Sequence, residues 1–404
     1  MIIEPVTAET ETQNAVIVPA ETLARIAAAG KIADRSGSFP AEGIRALHDA
    51  GLLQATVSKR YGGQGGDLDT LVQIISQVGT ADPSVALIVT MNLANHLAQA
   101  ERNHWPNDVY QQIVSEGRTR PILLNAARVE PDLGSPSRGG LPQTRARRTA
   151  NGWAISGTKR FVTGSEGLTH HLVWATTDET PTRVGTFIVP AETPGITIVK
   201  NWDSLGMRAT SSHDVVYDNV TVPIAHVLDL VEAGKGQQDN LGHALLTLGL
   251  TSIYLGVGEA AAAAFAKFAH DRIPANLGRP IAETERIISV AGEIDLLISS
   301  ARTFLFDAFA LHRDDTLHLL RVRLIVGRQL QEAVGLAVRT LGNPGLAAGL
   351  GLERHFRDIQ AVLVHAPQED TSLTMLGRSA FARFKAAREA ETLETNLPLR
   401  QAVQ

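Results

Sequence analysis

Residues 151–164 read NGWAISGTKRFVTG. Trp153, Ile155, Phe161 and Val162 are β-formers set between Asn151-Gly152 and Gly164, which reads as a strand with a turn at each end. Similar runs lie outward of it: HLVWATTD at 171–178, VGTFIVPAETPGITIV at 184–199 and HDVVYDNVTVP at 213–223. From about Arg120 to about Leu230, Val, Ile, Thr, Trp and Phe recur in short runs broken by Gly, Pro, Asn and Asp at intervals of roughly ten residues. This spacing predicts a small β-barrel or sandwich.

On both sides of it the period changes. Between about Pro19 and Gly117 apolar residues return every three or four positions, as in PAEGIRALHDAGLL (40–53), where Pro40 opens a helix and Gly51 closes it. Further helical runs fall at Leu68–Val78 and Ser84–Ala98. From Asp239 the helical period resumes, strengthened by the alanine-rich run Ala260–Ala269, and predicts helices at about 239–271, 280–312, 315–341, 352–364 and 371–390. A chain of 404 residues exceeds one ordinary core. The division is therefore helical over 1–119, β over 120–232 and helical over 233–404: a mainly α chain with a central β-domain.

The absence of cysteine excludes disulfides, thiolate nucleophiles, iron–sulfur clusters and thiolate-bound zinc. With 37 basic and 42 acidic residues the net charge is −5, and the basic residues are scattered rather than striped, which argues against a nucleic-acid partner. The N-terminal residues lack a basic stretch followed by an apolar run, so no secretory signal is expected. Unbroken apolar stretches such as Ala260–Phe265 fall short of the roughly 20 residues a membrane crossing needs. A cytoplasmic protein with no membrane partner is the expectation.

Among the motifs, GNPGLAAGLGLERHFRD (342–358) is glycine-rich but lies between helical segments, without the βαβ context of a dinucleotide site, and reads as a helix-to-helix turn. No pair of histidines has metal-ligand spacing, so no metal site is expected. Ser204, Ser211, Ser212, His213 and Asp214 do not make a triad, because adjacent strand positions point to opposite faces. Thr163-Gly164 is more informative: a hydroxyl and a glycine at a strand end let a flat ligand approach the backbone, although an ordinary hairpin accounts for them equally well.

Six segments in order resemble the acyl-CoA dehydrogenase superfamily: YGGQGGD (61–67), EPDLGS (130–135), NGWAISGTKRFVTG (151–164), LGMRATSSHDVVYDNVTVP (205–223), LGRPIAE (277–283) and the LGNPGL to ERHFRD run (341–358). The resemblance covers nearly the whole chain. It implies an N-terminal helical domain, a β-barrel domain and a C-terminal four-helix bundle, assembled as a homotetramer, with flavin between the β-domain and the bundle.

In many members a glutamate general base stands twelve residues before a helical arginine; counting back from Arg378 puts Ala366 there. Other members place the base early in the first bundle helix, where this chain has Thr247 in HALLTLGLTSIYLG. Both positions lack a carboxylate, leaving Glu369 and Asp370 as nearby substitutes. Where FAD-holding members carry R-x-x-F-G and then Gln, this chain has Pro274 and Glu285, which favours FMN over FAD.

The remaining motifs resemble the flavin-dependent monooxygenase branch of this fold, the dibenzothiophene monooxygenase-like proteins. They are His365-Ala366-Pro367, Trp202 ahead of Gly206-Met207-Arg208, Tyr254-Leu255-Gly256 and Asn125-Ala126. The resemblance implies flavin contacts from Asn125, Ala126, Phe161, Thr163, Trp202, Arg208, Gly342 and Asn343. It gives Thr163 the contact to flavin N5 and His365 a role in proton transfer. Asn92 stands where the branch has an N-terminal-domain histidine, with His96 one helical turn further on.

The implied activity is a two-component monooxygenase that takes reduced flavin from a separate reductase and uses O2, through a C4a-(hydro)peroxide, on a small-molecule substrate. The alternatives are an FAD-dependent acyl-CoA dehydrogenase with a relocated base, and a non-catalytic binding protein on the same fold.

Overall fold

Two aspartates organise the first third of the chain. Asp67 accepts from the Thr70 N–H at 3.0 Å and Asp82 from the Val85 N–H at 2.7 Å, so each caps a helix, and Pro83 takes the first-turn position where its missing N–H costs nothing. The computed structural model describes residues 16–133, 140–235 and 240–395. Its first five helices are α1 (Ala20–Ser36), α2 (Ala41–Asp49), α3 (Leu68–Ala81), α4 (Pro83–Arg102) and α5 (Asn107–Glu116). α4 is apolar on most sides because it lies inside the domain, against α3 and later elements.

The β-domain comprises β1 (Leu124–Ala127), β2 (Arg145–Arg148), β3 (Gly152–Val162), β4 (His170–Thr177), β5 (Arg183–Pro190), β6 (Ile196–Val199), β7 (His213–Pro223) and β8 (Val227–Glu232). They form one sheet in the order β6-β7-β3-β2-β4-β5-β8, with β1 added in parallel to β4. The sheet folds over on itself: Trp153 of β3 meets Phe187 of β5 edge-on at 5.4 Å, and Tyr217 of β7 reaches His171 Nδ1 of β4 at 2.8 Å. Among the described residues β6 and β8 end the pairing path of this curled sheet, which forms the central β-domain expected from the sequence.

The last third holds α6 (Asn240–Asp271), α7 (Glu285–Leu311), α8 (Thr316–Leu341), α9 (Asn343–Leu346), α10 (Leu352–Ile359) and α11 (Glu369–Thr395). The helix predicted over 352–364 divides into α10 and a 3-10 turn at Gln360–Leu363. The glycine-rich loop is a helix-to-helix connection, with α9 as a single turn between α8 and α10.

Residues Leu241–Asp271 are long and apolar enough to cross a membrane by length and composition, with mean hydropathy 1.4. Thr, Ser and Gly interrupt its apolar residues, so the sequence shows no unbroken apolar run of that length. It is the central helix, buried against α3, α4, α7 and α8. It crosses α3 backbone to backbone: a Cβ on Gly256 would lie 2.3 Å from the Ser76 carbonyl oxygen, so only glycine fits there. That crossing fixes the position of the neighbouring Tyr254.

Candidate functional site

The turn after α10 is built around a buried guanidinium. Arg323 of α8 is 2% exposed and donates through Nε to the Pro367 carbonyl at 2.9 Å and through Nη2 to the carbonyls of Val362, at 3.0 Å, and His365. It has no ion pair among the described residues, and its Nη1 is buried without a hydrogen-bond partner. The segment 362–367 is thereby shaped by one side chain, and His365 projects from it.

His365 Nδ1 lies 2.5 Å from the hydroxyl of Tyr254, a residue with 0% exposure. Burial, with the Arg323 charge adding to it, lowers the His365 pKa to about 4, so the imidazole is neutral near pH 7. Burial also pushes the Tyr254 hydroxyl above its ordinary range.

The end of β3 faces outward differently. Phe161 has φ 53° and is 51% exposed, an unusual conformation for an aromatic residue, which leaves its ring uncovered at the strand end. Trp202 stands edge-on to it at 6.3 Å. Two bonds hold Trp202: its backbone N–H donates to His213 Nδ1 at 2.9 Å and its indole N–H to the Met207 carbonyl at 3.2 Å. His213 thus orients an aromatic residue rather than a serine.

Beside these rings runs a line of hydroxyls: Thr163 Oγ1 to Ser212 Oγ at 3.1 Å and Ser212 Oγ to Thr210 Oγ1 at 2.8 Å. Gly164, with φ 79°, turns the chain so that its N–H bonds the Thr210 carbonyl at 2.8 Å. Asn125 of β1 donates to the Thr163 carbonyl at 2.8 Å, with the half-buried Ala126 next to it. An exposed phenyl ring beside a half-buried indole, a hydroxyl row and a backbone turn kept close by glycine are the donor set and walls that fit a flat, heteroatom-edged ring such as flavin.

The two halves are joined. Asp358 of α10 accepts from the Met207 N–H at 2.6 Å, and Gly206 sits so close to α10 that a Cβ there would lie 2.2 Å from the Arg357 carbonyl. Arg354 pairs with Asp82 at 2.6 Å and Arg357 with Asp34 at 2.8 Å, tying α10 to the N-terminal helices.

Arg208 belongs to this joint. Its Nε donates to the Asp34 carbonyl at 3.1 Å and its Nη1 to the Ser204 carbonyl at 3.1 Å, so it holds a loop on α1.

The N-terminal-domain residues are also engaged elsewhere. Asn92 donates to the Leu53 carbonyl at 2.9 Å and accepts from the Leu124 N–H at 3.1 Å, so it braces the start of β1, one residue from Asn125. His96 is buried with Nδ1 2.9 Å from the Tyr110 hydroxyl, and burial lowers its pKa to about 4. Both side chains thus have a bracing role within the N-terminal part of the chain, Asn92 through backbone groups and His96 through the Tyr110 hydroxyl. Gly342 and Asn343 lie past the far end of α8, about 28 Å along the helix from Arg323 at 1.5 Å per residue. Within one chain they do not join the His365 turn.

Two features escaped the sequence reading. Arg323 lies within the buried stripe Leu319, Leu320, Val322, Val326 and Gly327, and a cation on an apolar helix face was the available signal. Ser212, whose hydroxyl bridges Thr163 and Thr210, carries no local signal of that role in the Ser-Ser-His-Asp run. Of the substitute bases, Glu369 is held by Arg328 of α8, with Nε at 3.0 Å, on the exposed side of the helix, and Asp370 accepts from the Thr371 N–H at 2.7 Å.

Comparison with known proteins gives matches to three domains described as acyl-CoA dehydrogenase: the N-terminal domain over residues 6–117, the middle domain over 126–220 and the C-terminal domain over 248–369. YdbM of Bacillus subtilis (strain 168), named for the acyl-CoA dehydrogenases, is 32% identical over 354 residues, 86% of this chain and 91% of that protein. KijD3, solved in complex with FMN and dTDP-3-amino-2,3,6-trideoxy-4-keto-3-methyl-D-glucose, superposes with a TM-score of 0.79 at 27% identity, covering 91% of this chain and 95% of that one. FMN-bound TdsC from Paenibacillus sp. A11-2, a dibenzothiophene monooxygenase, shares the fold with a TM-score of 0.79 at 20% identity, covering 88% and 94%.

Proposed function

The chain belongs to the acyl-CoA dehydrogenase family of flavin-dependent oxidoreductases, and we propose that within it the protein is a monooxygenase that uses reduced FMN and O2 on a small-molecule substrate. One observation carries this reading: where a dehydrogenase needs a carboxylate to take the substrate's α-proton, the turn offers Ala366 beside a neutral imidazole, and the nearest glutamate is turned onto Arg328. Thr247, at the other base position, is a buried hydroxyl.

Reduced flavin, when bound, supplies the electrons that activate O2. The chain supplies the setting. Phe161 and Trp202 wall the ring, Thr163 and Ser212 offer hydroxyl donors to its edge, and Asn125 holds the Thr163 backbone. His365 presents a hydrogen-bonding nitrogen from a turn that Arg323 keeps in shape. The packing around Tyr254 and α6 limits water on that side, which favours coupling of O2 use to substrate.

FMN is favoured over FAD by Pro274 and Glu285 at the positions where FAD-holding relatives grip the second nucleotide, and by the FMN named in the KijD3 complex. The same complex makes an amine-bearing nucleotide sugar the first substrate class to try. A separate reductase supplies the reduced flavin. Exposed Phe381 and Phe384 on α11, and Phe304 on α7, support assembly of copies into the family's homotetramer.

The likeness to YdbM supports a second reading, an acyl-CoA dehydrogenase whose base comes from Glu369 or Asp370. To test between them, the protein is titrated with FMN and FAD, then supplied with reduced FMN, isotopically labelled O2 and a panel of amine-bearing nucleotide sugars. Label in the product supports the monooxygenase. Desaturation of an acyl-CoA with no oxygen uptake supports the dehydrogenase.

A further inference from the structure

We infer that Tyr254 is a positioning residue that locks His365 as the Nε2–H tautomer, so that His365 serves its ligand as a neutral hydrogen-bond donor and not as a proton acceptor. This deepens the reading of the site given above, and its first test does not depend on that reading.

The hydroxyl hydrogen of Tyr254 has one acceptor within reach among the described residues. Tyr254 is fully buried, and among the described residues the sole hydrogen bond to its oxygen is the one with His365 Nδ1, at 2.5 Å. If Nδ1 carried the imidazole proton, it would donate to the tyrosine oxygen and leave the tyrosine O–H buried without an acceptor. If Tyr254 donates, Nδ1 accepts and both buried groups of the pair are satisfied. The second arrangement puts the ring proton on Nε2, which has no hydrogen bond among the described residues and remains available to a ligand.

The surroundings hold that state. The charged and titratable groups around the ring are Arg323 from α8, Tyr254 from α6 and, behind Tyr254, Asp358 from α10. Glu369 of α11 is engaged by Arg328. A cation without a carboxylate partner beside the imidazole disfavours a second positive charge. A neutral imidazole donating from a fixed nitrogen polarises an acceptor oxygen without giving up its proton. The crossing of α6 and α3 at Gly256 keeps Tyr254 in register with the turn.

The test begins with the protein labelled with nitrogen-15 at histidine and studied without flavin. The His365 ring signals are assigned through their contacts with the Tyr254 ring. We expect Nδ1 at the shift of a bare nitrogen and Nε2 at that of a protonated one, unchanged from about pH 6 to about pH 9. A protonated Nδ1, or an averaged pair of shifts, overturns the proposal, and this readout requires no variant to fold.

The second arm compares His365→Gln, which can donate at the Nε2 position but cannot take up a proton, with His365→Ala in the FMN-loaded enzyme. Turnover retained within about fivefold in Gln and lost in Ala supports the donor role. Gln as inactive as Ala contradicts it. If the first arm succeeds and no oxygenation is found in any variant, the tautomer stands and the monooxygenase reading fails.

Discussion

The Asp358 carboxylate accepts the backbone N–H of Met207 at 2.6 Å, across 151 residues of chain, and so clips the loop that carries Trp202, Arg208 and Thr210 onto α10. Asp358 is 1% exposed, and burial raises its pKa to about 6, with Arg354 opposing that rise. A carboxyl whose folded value is raised favours the folded state most when protonated. Its contribution is complete below the unfolded value near 4 and is lost as pH rises through about 6. Asp358→Asn keeps an acceptor for Met207 and leaves Arg354 paired with Asp82. In urea melts at about pH 4.5 and pH 7.5, wild type should lose about 1–3 kcal/mol more stability on going to the higher pH than the Asn variant does. Equal pH dependence in the two proteins would contradict this account of the joint.

Lys159 and Glu130 form the second buried joint, at 2.6 Å, with Lys159 0% and Glu130 2% exposed. Glu130 also accepts from the Thr144 N–H and hydroxyl and from the Gln143 N–H, so two of the sequence motifs meet at one carboxylate inside the β-domain. Lys159→Met leaves that carboxylate buried without its cation and should cost about 3 kcal/mol of stability. Adding Glu130→Gln should recover part of the loss, because the uncompensated charge is then gone. A double variant destabilised by the full sum of the single changes would show that the pair is not coupled.

Thr163→Val removes the hydroxyl that faces Ser212 while keeping the side-chain shape. The fold should be unaffected, since the Asn125 bond goes to the Thr163 carbonyl. FMN affinity, read from quenching of flavin fluorescence, should fall about fivefold to tenfold, the worth of one hydrogen bond of roughly 1 kcal/mol or slightly more. Unchanged affinity would remove Thr163 from the flavin contacts.

Glu369→Gln separates the two readings of the reaction. Its carboxylate is engaged by Arg328, so turnover should stay within about twofold of wild type. If Glu369 were the general base, the loss would be on the order of a hundredfold or more.

The three-part division was legible because it rests on period: helical spacing changes to alternation near Arg120 and back near Asp239. The α6 helix was legible as a helix but not as the core, since its glycines and hydroxyl residues hide a continuous apolar surface that is apparent only once α3 and α4 pack on it. Thr163, Phe161 and Trp202 could be singled out because a strand end and its motifs are local. The roles of Arg323, Asp358 and Asn92 could not, because each acts on a segment tens to hundreds of residues away, through backbone carbonyls and N–H groups that a sequence does not display. His96 and His365 both sit beside a tyrosine hydroxyl, and neither Tyr110 nor Tyr254 announces its partner by spacing.

The visible absorbance band of bound flavin provides the most direct measurement. With the FMN-loaded protein mixed anaerobically with acyl-CoA thioesters of short to long chain, the account predicts that the band is unchanged, because no carboxylate stands ready to take the α-proton. Bleaching of that band by any of these thioesters, in the absence of oxygen, would contradict the monooxygenase reading and restore the dehydrogenase.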